Sequence, residues 1–337
     1  MLELLKKLCM ANGVSGNEGE VAKIILDELK EFSPECDNMG NIVVRIKNEG
    51  AKKLMLSAHM DEVGFMVTDI QEGGEISFGT VGGIDPLVLL SKKVISENGI
   101  KGAILSKPVH LLSAEEAKHR TEIKDMYIDI GTSSKEESEK LVTIGDYFAF
   151  LGDFVEFGEN KIKAKALDDR LGCAIMIKAI KKLANENKKS EYDLYFCFTT
   201  REEVSYSGAL ITAEKIKPDY ALVIESTAVA DIAGVAKNKR VAIQGNGGAI
   251  SFADRGTIYD KEFTDTLISV CKKNNIKYQI KQYVSGGNDA SHIQKSGFGV
   301  KVASLSAPSR YIHSQADVCD IRDINSMMDS VYALITD

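Results

Sequence analysis

The sequence predicts a layered α/β domain interrupted by a small β-rich insertion. Two observations carry that reading. Apolar strand-like runs alternate with amphipathic helices over residues 1–65 and again over 161–337, the texture of helices packed on a sheet. Between them, over 66–160, short β-like pieces are separated by glycine-containing turns. A third observation concerns chemistry: acids and histidines stand directly after the strand-like runs, where ligands of open α/β sheets bind.

The elements follow in order. MLELLKKLCMANG reads as an amphipathic helix, and residues 17–32 place Val21, Ile24, Ile25, Leu29 and Phe32 on a second helical face. A turn at 38–41 leads into the strand IVVRI. The apolar run KLMLSA, read as a strand buried on both faces, ends at His59, and GFMVTDI is a further strand. In the insertion, EISFGTVGG, KVISENGIKGAILS, MYIDIG and DYFAFLGDFVEFGEN read as strands and turns, with Asn98-Gly99 as a hairpin signal. A short helix is expected from Ser113, with Glu116 at capping-box spacing. Asp168-Asp169 then opens a long helix, DLYFCFTT is a strand leading to Glu202-Glu203, and SGALITAEKI is a helix. DYALVIE is a strand ending at Glu225, KEFTDTLISVCKKNN a helix, FGVKVASLS a strand before His313, and IRDINSMMDSVYALIT the closing helix. Two sequential domains are the competing organisation, but they would separate His59 from its partners.

Composition narrows the function. The chain has 337 residues, enough for a large core, and its 44% hydrophobic and 27% charged content is that of an ordinary globular protein. A net charge of −7 argues against a non-specific nucleic-acid or anionic-membrane binder. The pairs Lys188-Lys189 and Lys272-Lys273 read as solvated helix ends. The six cysteines form no Cys-x-x-Cys pair and read as reduced thiols, Cys197 in LYFCF being a small core residue. Glu3, Lys6 and Lys7 interrupt the first helix, so it lacks the uncharged core of a signal peptide. No apolar run approaches the roughly 20 residues of a membrane span. A cytoplasmic protein is expected.

The candidate site is built residue by residue. In His59-Met60-Asp61 the carboxylate two residues on can accept the imidazole N–H that does not face a metal. His110, His119 and His292 have no comparable context. Asp168-Asp169-Arg170 could be a helix cap, which accounts for one Asp better than for two; a carboxylate there could also bridge two cations. Glu202 and Glu203 end a buried strand, where adjacent like charges are costly unless a cation or proton compensates. In an extended segment the two would point apart, one to a metal and one to water. Glu225 likewise ends an apolar strand, and His313 lies in SRYIHSQAD. Two histidines and three carboxylates make a two-metal ligand set, with one carboxylate left as a base.

These segments resemble a known family. SAHMDEVGF, KALDDRLGC, TTREEVSYSGA, VSGGNDASHIQ and PSRYIHS are similar, in order and over nearly the whole chain, to the motifs of the tetrahedral co-catalytic metal aminopeptidases. This is the forty-second metallopeptidase family, which includes glutamyl and deblocking aminopeptidases and proteins once labelled cellulases. MYIDIG and IGDYFAF in the insertion fit it too. The resemblance implies a metallopeptidase catalytic domain and residue roles. His59, Asp168 and Glu225 would hold one metal, and Asp168, Glu203 and His313 the other. Glu202 would be the general base and Asp61 would orient His59. It implies two divalent ions per subunit, Zn²⁺ first, with Co²⁺ or Mn²⁺ also accepted by such donors. It further implies removal of N-terminal residues from short peptides by a two-metal-activated water, and dimers built through the insertion into a dodecamer. Two departures stand out: Glu225 where the family often has Asp, and Ser205 where it commonly has Gly.

Rival readings are weaker. A di-metal amidohydrolase or deacylase would act on blocked substrates, which an aminopeptidase should refuse. A non-catalytic binding protein would have no reason to retain every ligand-type residue and the base. A glycosidase needs two carboxylates about 5–10 Å apart across a sugar, and adjacent Glu202 and Glu203 do not supply them.

Overall fold

The computed structural model describes residues 1–115, 118 and 121–336. The helix expected at Ser113 turns on Glu116, which lies outside the described residues.

Two strand systems organise the chain. The first is an 11-stranded mixed sheet. Its centre is four parallel strands in the order β12 (Asp193–Thr199), β3 (Lys53–His59), β13 (Tyr220–Ala228) and β16 (Lys301–Arg310). On one flank lie β2 (Ile42–Ile46) and β1 (Glu35–Cys36). On the other lie β17 (Asp317–Asp320), β11 (Lys161–Ala164) and β10 (Val155–Phe157). The short β14 (Gly248–Ile250) and β15 (Tyr278–Ile280) branch from β16.

The alternation of side chains along these strands feeds two cores, one on each face. Leu54, Leu56 and Ala58 of β3, with Leu222 and Ile224 of β13, face a core that also takes α1 (Leu2–Met10), α2 (Gly19–Leu29), α4 (Leu167–Asn185), α7 (Lys261–Lys273) and α9 (Ile321–Thr336). Met55, Ala221 and Val223 face the other way, onto α6 (Ser207–Ile216) and α8 (Ala290–Ile293). The result is helices on both faces of a mixed sheet with a parallel centre, the layered architecture expected. Because both faces are covered, the central strands are mostly apolar, and the charged groups of the candidate site stand toward their carboxyl ends.

The second system is a closed six-stranded barrel: β4 (Gly64–Ile70), β5 (Ile76–Val81), β8 (Met126–Asp129), β7 (Lys101–Ser106), β6 (Lys93–Ser96) and β9 (Tyr147–Phe150). Closure removes exposed strand edges. Phe65 fills its centre, meeting Phe78 and Phe150 edge to face at 5.2 and 5.1 Å between centroids. The Asn98-Gly99 turn joins β6 to β7, with Gly99 at φ 82°, a backbone state that suits glycine. The barrel begins at Gly64, and Val155–Phe157 already pairs with the large sheet through β11.

Two local expectations are corrected. The strand carrying Glu225 does not end there: it runs on to Ala228, still paired with β16 as far as Ser309. Glu202 and Glu203 are not extended but open a single helical turn, α5 (Glu202–Ser205). They diverge because consecutive helical residues are about 100° apart around the axis.

A buried charge cluster locks the amino-terminal helix onto this frame. Lys165 Nζ lies 2.7 Å from Glu62 Oε1 and Arg170 Nη2 lies 3.4 Å from the same oxygen. Lys165 also donates to Ala11 O at 3.0 Å and Arg170 to Leu8 O at 2.7 Å. Removing one partner of such a cluster typically costs about 3–5 kcal/mol, because the other charges stay buried.

Candidate metal centre

Five segments meet toward the carboxyl ends of the parallel strands. His59 is the last residue of β3, level in parallel register with Thr199 at the end of β12. From Thr199 the chain turns through Arg201, at φ 60°, into the α5 turn that presents Glu202 and Glu203. Glu225 lies in β13, and His313, itself at φ 60°, follows β16. Asp168 stands at the mouth of α4, where Ala166 is left-handed and Asp168 and Asp169 have non-helical dihedrals. It therefore faces the crevice instead of continuing the helix.

The distances make Asp168 the centre of the group. One of its oxygens, Oδ1, is 3.4 Å from His59 Nε2, and the other, Oδ2, is 3.3 Å from His313 Nε2. Around His59 Nε2 lie Glu225 Oε1 at 3.8 Å and Glu202 Oε2 at 4.0 Å. Around His313 Nε2 lies Glu203 Oε1 at 3.2 Å. Each imidazole is held from behind. His59 Nδ1 is 3.1 Å from the Asp61 backbone oxygen and 3.4 Å from its carboxylate. His313 Nδ1 is 2.8 Å from the Gly83 carbonyl, which comes from the barrel. A nitrogen facing a carbonyl carries the hydrogen, so in both rings Nε2 is the nitrogen turned toward Asp168.

Asp61 does more than face His59. Its carboxylate accepts the backbone N–H of Glu202 at 3.0 Å and of Glu203 at 3.1 Å, and the Ser15 hydroxyl as well. It thereby fastens the α5 turn to the end of β3.

The cluster is acidic and buried. Burial lifts the Glu202 carboxyl well above the ordinary carboxylate range, and Glu203, Asp289 and Asp168 add to the shift. Burial does the same to Glu225, reinforced by Asp168, Asp169 and Glu202. Burial alone would lower the His59 pKa, but Glu225, Asp168, Asp61 and Glu202 carry it well above its usual value. Among the described residues no lysine or arginine forms an ion pair with Asp168, Glu202, Glu203 or Glu225. Asp168 Oδ1 is buried without a hydrogen-bond partner. Such a set needs positive charge from elsewhere. Donor atoms of His59, Asp168 and Glu203 lie within 4.8 Å of one another, as do those of His59, Asp169 and Glu225. These donors fit divalent cations.

Other residues fall outside this cluster or were missed in the sequence. Asp231 pairs with Arg310 at 2.6 Å and accepts the Gln244 N–H, a structural use. His292 stacks on Tyr206, and His110 is exposed. Ser205 is exposed and its hydroxyl meets Ser207, away from the acids. Asp169 is a buried neighbour that the Asp-Asp pair could have flagged; its Oδ1 accepts the Gly172 N–H while Oδ2 has no partner. Asp289, in the segment VSGGNDASHIQ, is buried behind the cluster, accepts from Thr199 at 2.8 Å, and is pushed by burial up to about 7.

Known proteins resemble this chain along nearly its whole length. The lysyl aminopeptidase of Pyrococcus furiosus is 30% identical over 342 residues, spanning 99% of this chain and 96% of its own. The crystal structure of the TET aminopeptidase from the marine sediment archaeon Thaumarchaeota archaeon SCGC AB-539-E09 superposes with a TM-score of 0.96 at 32% identity, covering 99% of this chain and 95% of that one. The Pyrococcus horikoshii TET1 peptidase, which can assemble into a tetrahedron or a large octahedral shell, superposes at 0.88 with 33% identity over 99% of both chains. The pattern of the M42 glutamyl aminopeptidase family matches residues 40–329, nearly the full span from the first central strands to the last helix. With fold, chain length and sequence pattern in agreement, this chain belongs to the M42 family of aminopeptidases.

Proposed function

We propose that this aminopeptidase removes N-terminal residues from short peptides at a two-metal centre, with Glu202 as general base. The observation that carries the reading is Asp168, whose two oxygens face two different imidazoles. His59, Asp168 and Glu225 would hold one cation, and Asp168, Glu203 and His313 the other, with Asp61 orienting His59. Zn²⁺ suits these donors, and Co²⁺ or Mn²⁺ would be accepted by them. When bound, the two cations would polarise the scissile carbonyl, lower the pKa of a water and anchor the free α-amine.

The chain's own part is proton transfer and placement. Glu202 lines the cleft at 8% exposure. Burial raises its proton affinity, so its carboxylate oxygen can take a proton from the attacking water and return it to the departing amine. Asp61 holds that glutamate by its backbone N–H, and the Gly83 carbonyl holds His313.

Residues 1–65 and 161–337 would form the catalytic domain, and 66–160 an insertion for assembly and access. Phe298, Ile258 and Val284 are largely exposed apolar side chains, as are Leu87 and Ile144 in the barrel region. Apolar surface of this kind suits contacts between copies, and dimers assembled into a dodecamer would cover it. No described helix is long and apolar enough to cross a membrane. Peptide trimming in the cytoplasm is the role this reading assigns. The test is chelation: anilide hydrolysis should stop in metal-stripped protein and return with Zn²⁺ or Co²⁺, while N-acylated substrates stay intact. Full activity in metal-free protein, or cleavage of blocked substrates alone, would overturn the reading. Light scattering on loaded protein should report twelve subunits; a stable, fully active monomer would remove the assembly part.

A further inference from the structure

The extension of β13 past Glu225 leaves a strand edge with no strand beside it. β3 pairs with β13 only from Tyr220 to Val223, while β16 stays paired with it as far as Ala228. In a parallel ladder both main-chain groups of one residue turn to one neighbour, and those of the next residue to the other. Val229 donates its N–H to Ser309 O, on the β16 side, at 2.9 Å. Glu225 and Thr227 share its parity and also turn toward β16. Ser226 and Ala228 therefore turn to the opposite edge, which β3 has already left. The Ser226 N–H is taken by Glu225 Oε2 at 3.0 Å. The Ser226 carbonyl and both main-chain groups of Ala228 have no ladder partner on that side among the described residues.

This edge opens into the candidate metal centre. Ser226, Thr227 and Ala228 line the same cavity of about 330 Å³ as Asp168, Glu202 and His313. Ser226 is half-buried and Ala228 exposed. Glu225, whose Oε1 is 3.8 Å from His59 Nε2, directly precedes Ser226. The edge thus starts at the cluster and runs outward over two residues, about 7 Å at the usual rise of a strand. Main-chain groups turned to an open edge are a template for another extended chain.

Resting on the aminopeptidase reading above, we propose that the outer end of β13 binds the main chain of the substrate peptide as an added parallel strand. A peptide held by its α-amine at the metal centre has its first residue beside Glu225 and its tail pointing out of the cleft. That is the direction in which β13 runs, so the pairing is parallel. One substrate residue then gives its N–H to the Ser226 carbonyl and accepts the Ala228 N–H at its own carbonyl, and the Ala228 carbonyl takes the N–H two residues further on. The nitrogen of the second residue is the leaving amine and must stay free to take a proton from Glu202. The third residue is therefore the one gripped at both ends. Such a grip reads backbone and not side chains: it tolerates any sequence beyond the scissile bond but not a blocked amide nitrogen at every second position.

The probes are five-residue peptides headed by whichever of Glu, Leu or Lys the metal-loaded protein cleaves fastest and continued by alanines, N-methylated in turn at the third, fourth or fifth residue. Methylation at the third and at the fifth should each lower kcat/KM by about 10-fold, the effect of leaving a carbonyl in the cleft unpaired. Methylation at the fourth, whose N–H points away from β13, should leave the parent's value. Ala228→Pro removes the N–H while keeping an extended backbone, and should lower kcat/KM for the parent by a similar factor, with circular dichroism reporting its fold. The methyl series is run on the wild type and decides without any variant. A penalty at the fourth residue as large as or larger than that at the third, or a folded Ala228→Pro that cleaves the parent as the wild type does, would overturn this inference and leave the aminopeptidase reading standing. No cleavage of any parent peptide by the loaded wild type would overturn both.

Discussion

Asp61→Asn is the perturbation whose effect can be worked most directly from the geometry. The wild-type carboxylate is fully buried and accepts two backbone N–H groups of the α5 turn, at 3.0 and 3.1 Å, together with the Ser15 hydroxyl. An asparagine keeps the shape but has one accepting oxygen, so its amide nitrogen must face an N–H or O–H donor. Each hydrogen bond to a charged group contributes about 1.5–3 kcal/mol. Losing one and neutralising the other two therefore costs about 4 kcal/mol, or at about 2 °C per kcal/mol a fall of about 8 °C in Tm. The catalytic loss should be larger in proportion, because Glu202 hangs from the same carboxylate. A shift of about 1 Å in a positioned group costs on the order of 10²-fold in rate. The assay is thermal unfolding of the chelated variant at fixed concentration, so that neither cations nor assembly enter the comparison, followed by anilide kinetics after reloading. If the chelated variant melts with the wild type and keeps its kcat, Asp61 does not anchor the α5 turn.

Three further outcomes are expected. Glu202→Gln should retain both cations by elemental analysis yet lose about 10²–10⁴ in kcat, whereas Glu203→Gln should lower occupancy; the reverse pattern would exchange their roles. Glu225→Ala should empty one of two sites while Glu225→Asp largely refills it, and equal occupancy in all three proteins would remove Glu225 from the ligand set. Gly82→Ala should weaken cation binding without replacing any donor. Gly82 sits at φ 84°, and a Cβ there would lie 2.8 Å from Val63 Cγ1 and 3.3 Å from Glu203 Cβ. Strain of about 1–3 kcal/mol would be relieved by moving the barrel loop that holds His313, and unchanged metal affinity would show that loop to be dispensable.

Local pattern made the layered sheet legible because strands covered on both faces must be apolar, and KLMLSA, DLYFCFTT and ALVI are. The same logic located His59 and Glu225, since a charged residue beside such a run needs a reason to be there. The turn at Glu202-Glu203 was not readable, because it depends on Asp61, 141 positions away, accepting the Glu202 N–H. Nor was the Gly83 carbonyl, 230 positions from the histidine it meets. Backbone groups carry no side-chain signature, so contacts made through them leave no trace in composition or periodicity. The extent of β13 beyond Glu225 was missed for a related reason: Ser226, Thr227 and Ala228 extend the strand by pairing with β16, not by apolar alternation.

His313 joins two separately folded strand systems through the two nitrogens of one ring. Its Nδ1 belongs to the barrel side, through Gly83, and its Nε2 to the sheet side, through Asp168 and Glu203. Any cation taken up at Nε2 is then thermodynamically linked to the seating of the barrel. By reciprocity, whatever grips the barrel must change cation affinity by the same factor that the cation changes the grip. Contacts made by a neighbouring subunit far from the cleft would thus be felt as a change in metal dissociation constant, and chelation would loosen the barrel's seat on the sheet.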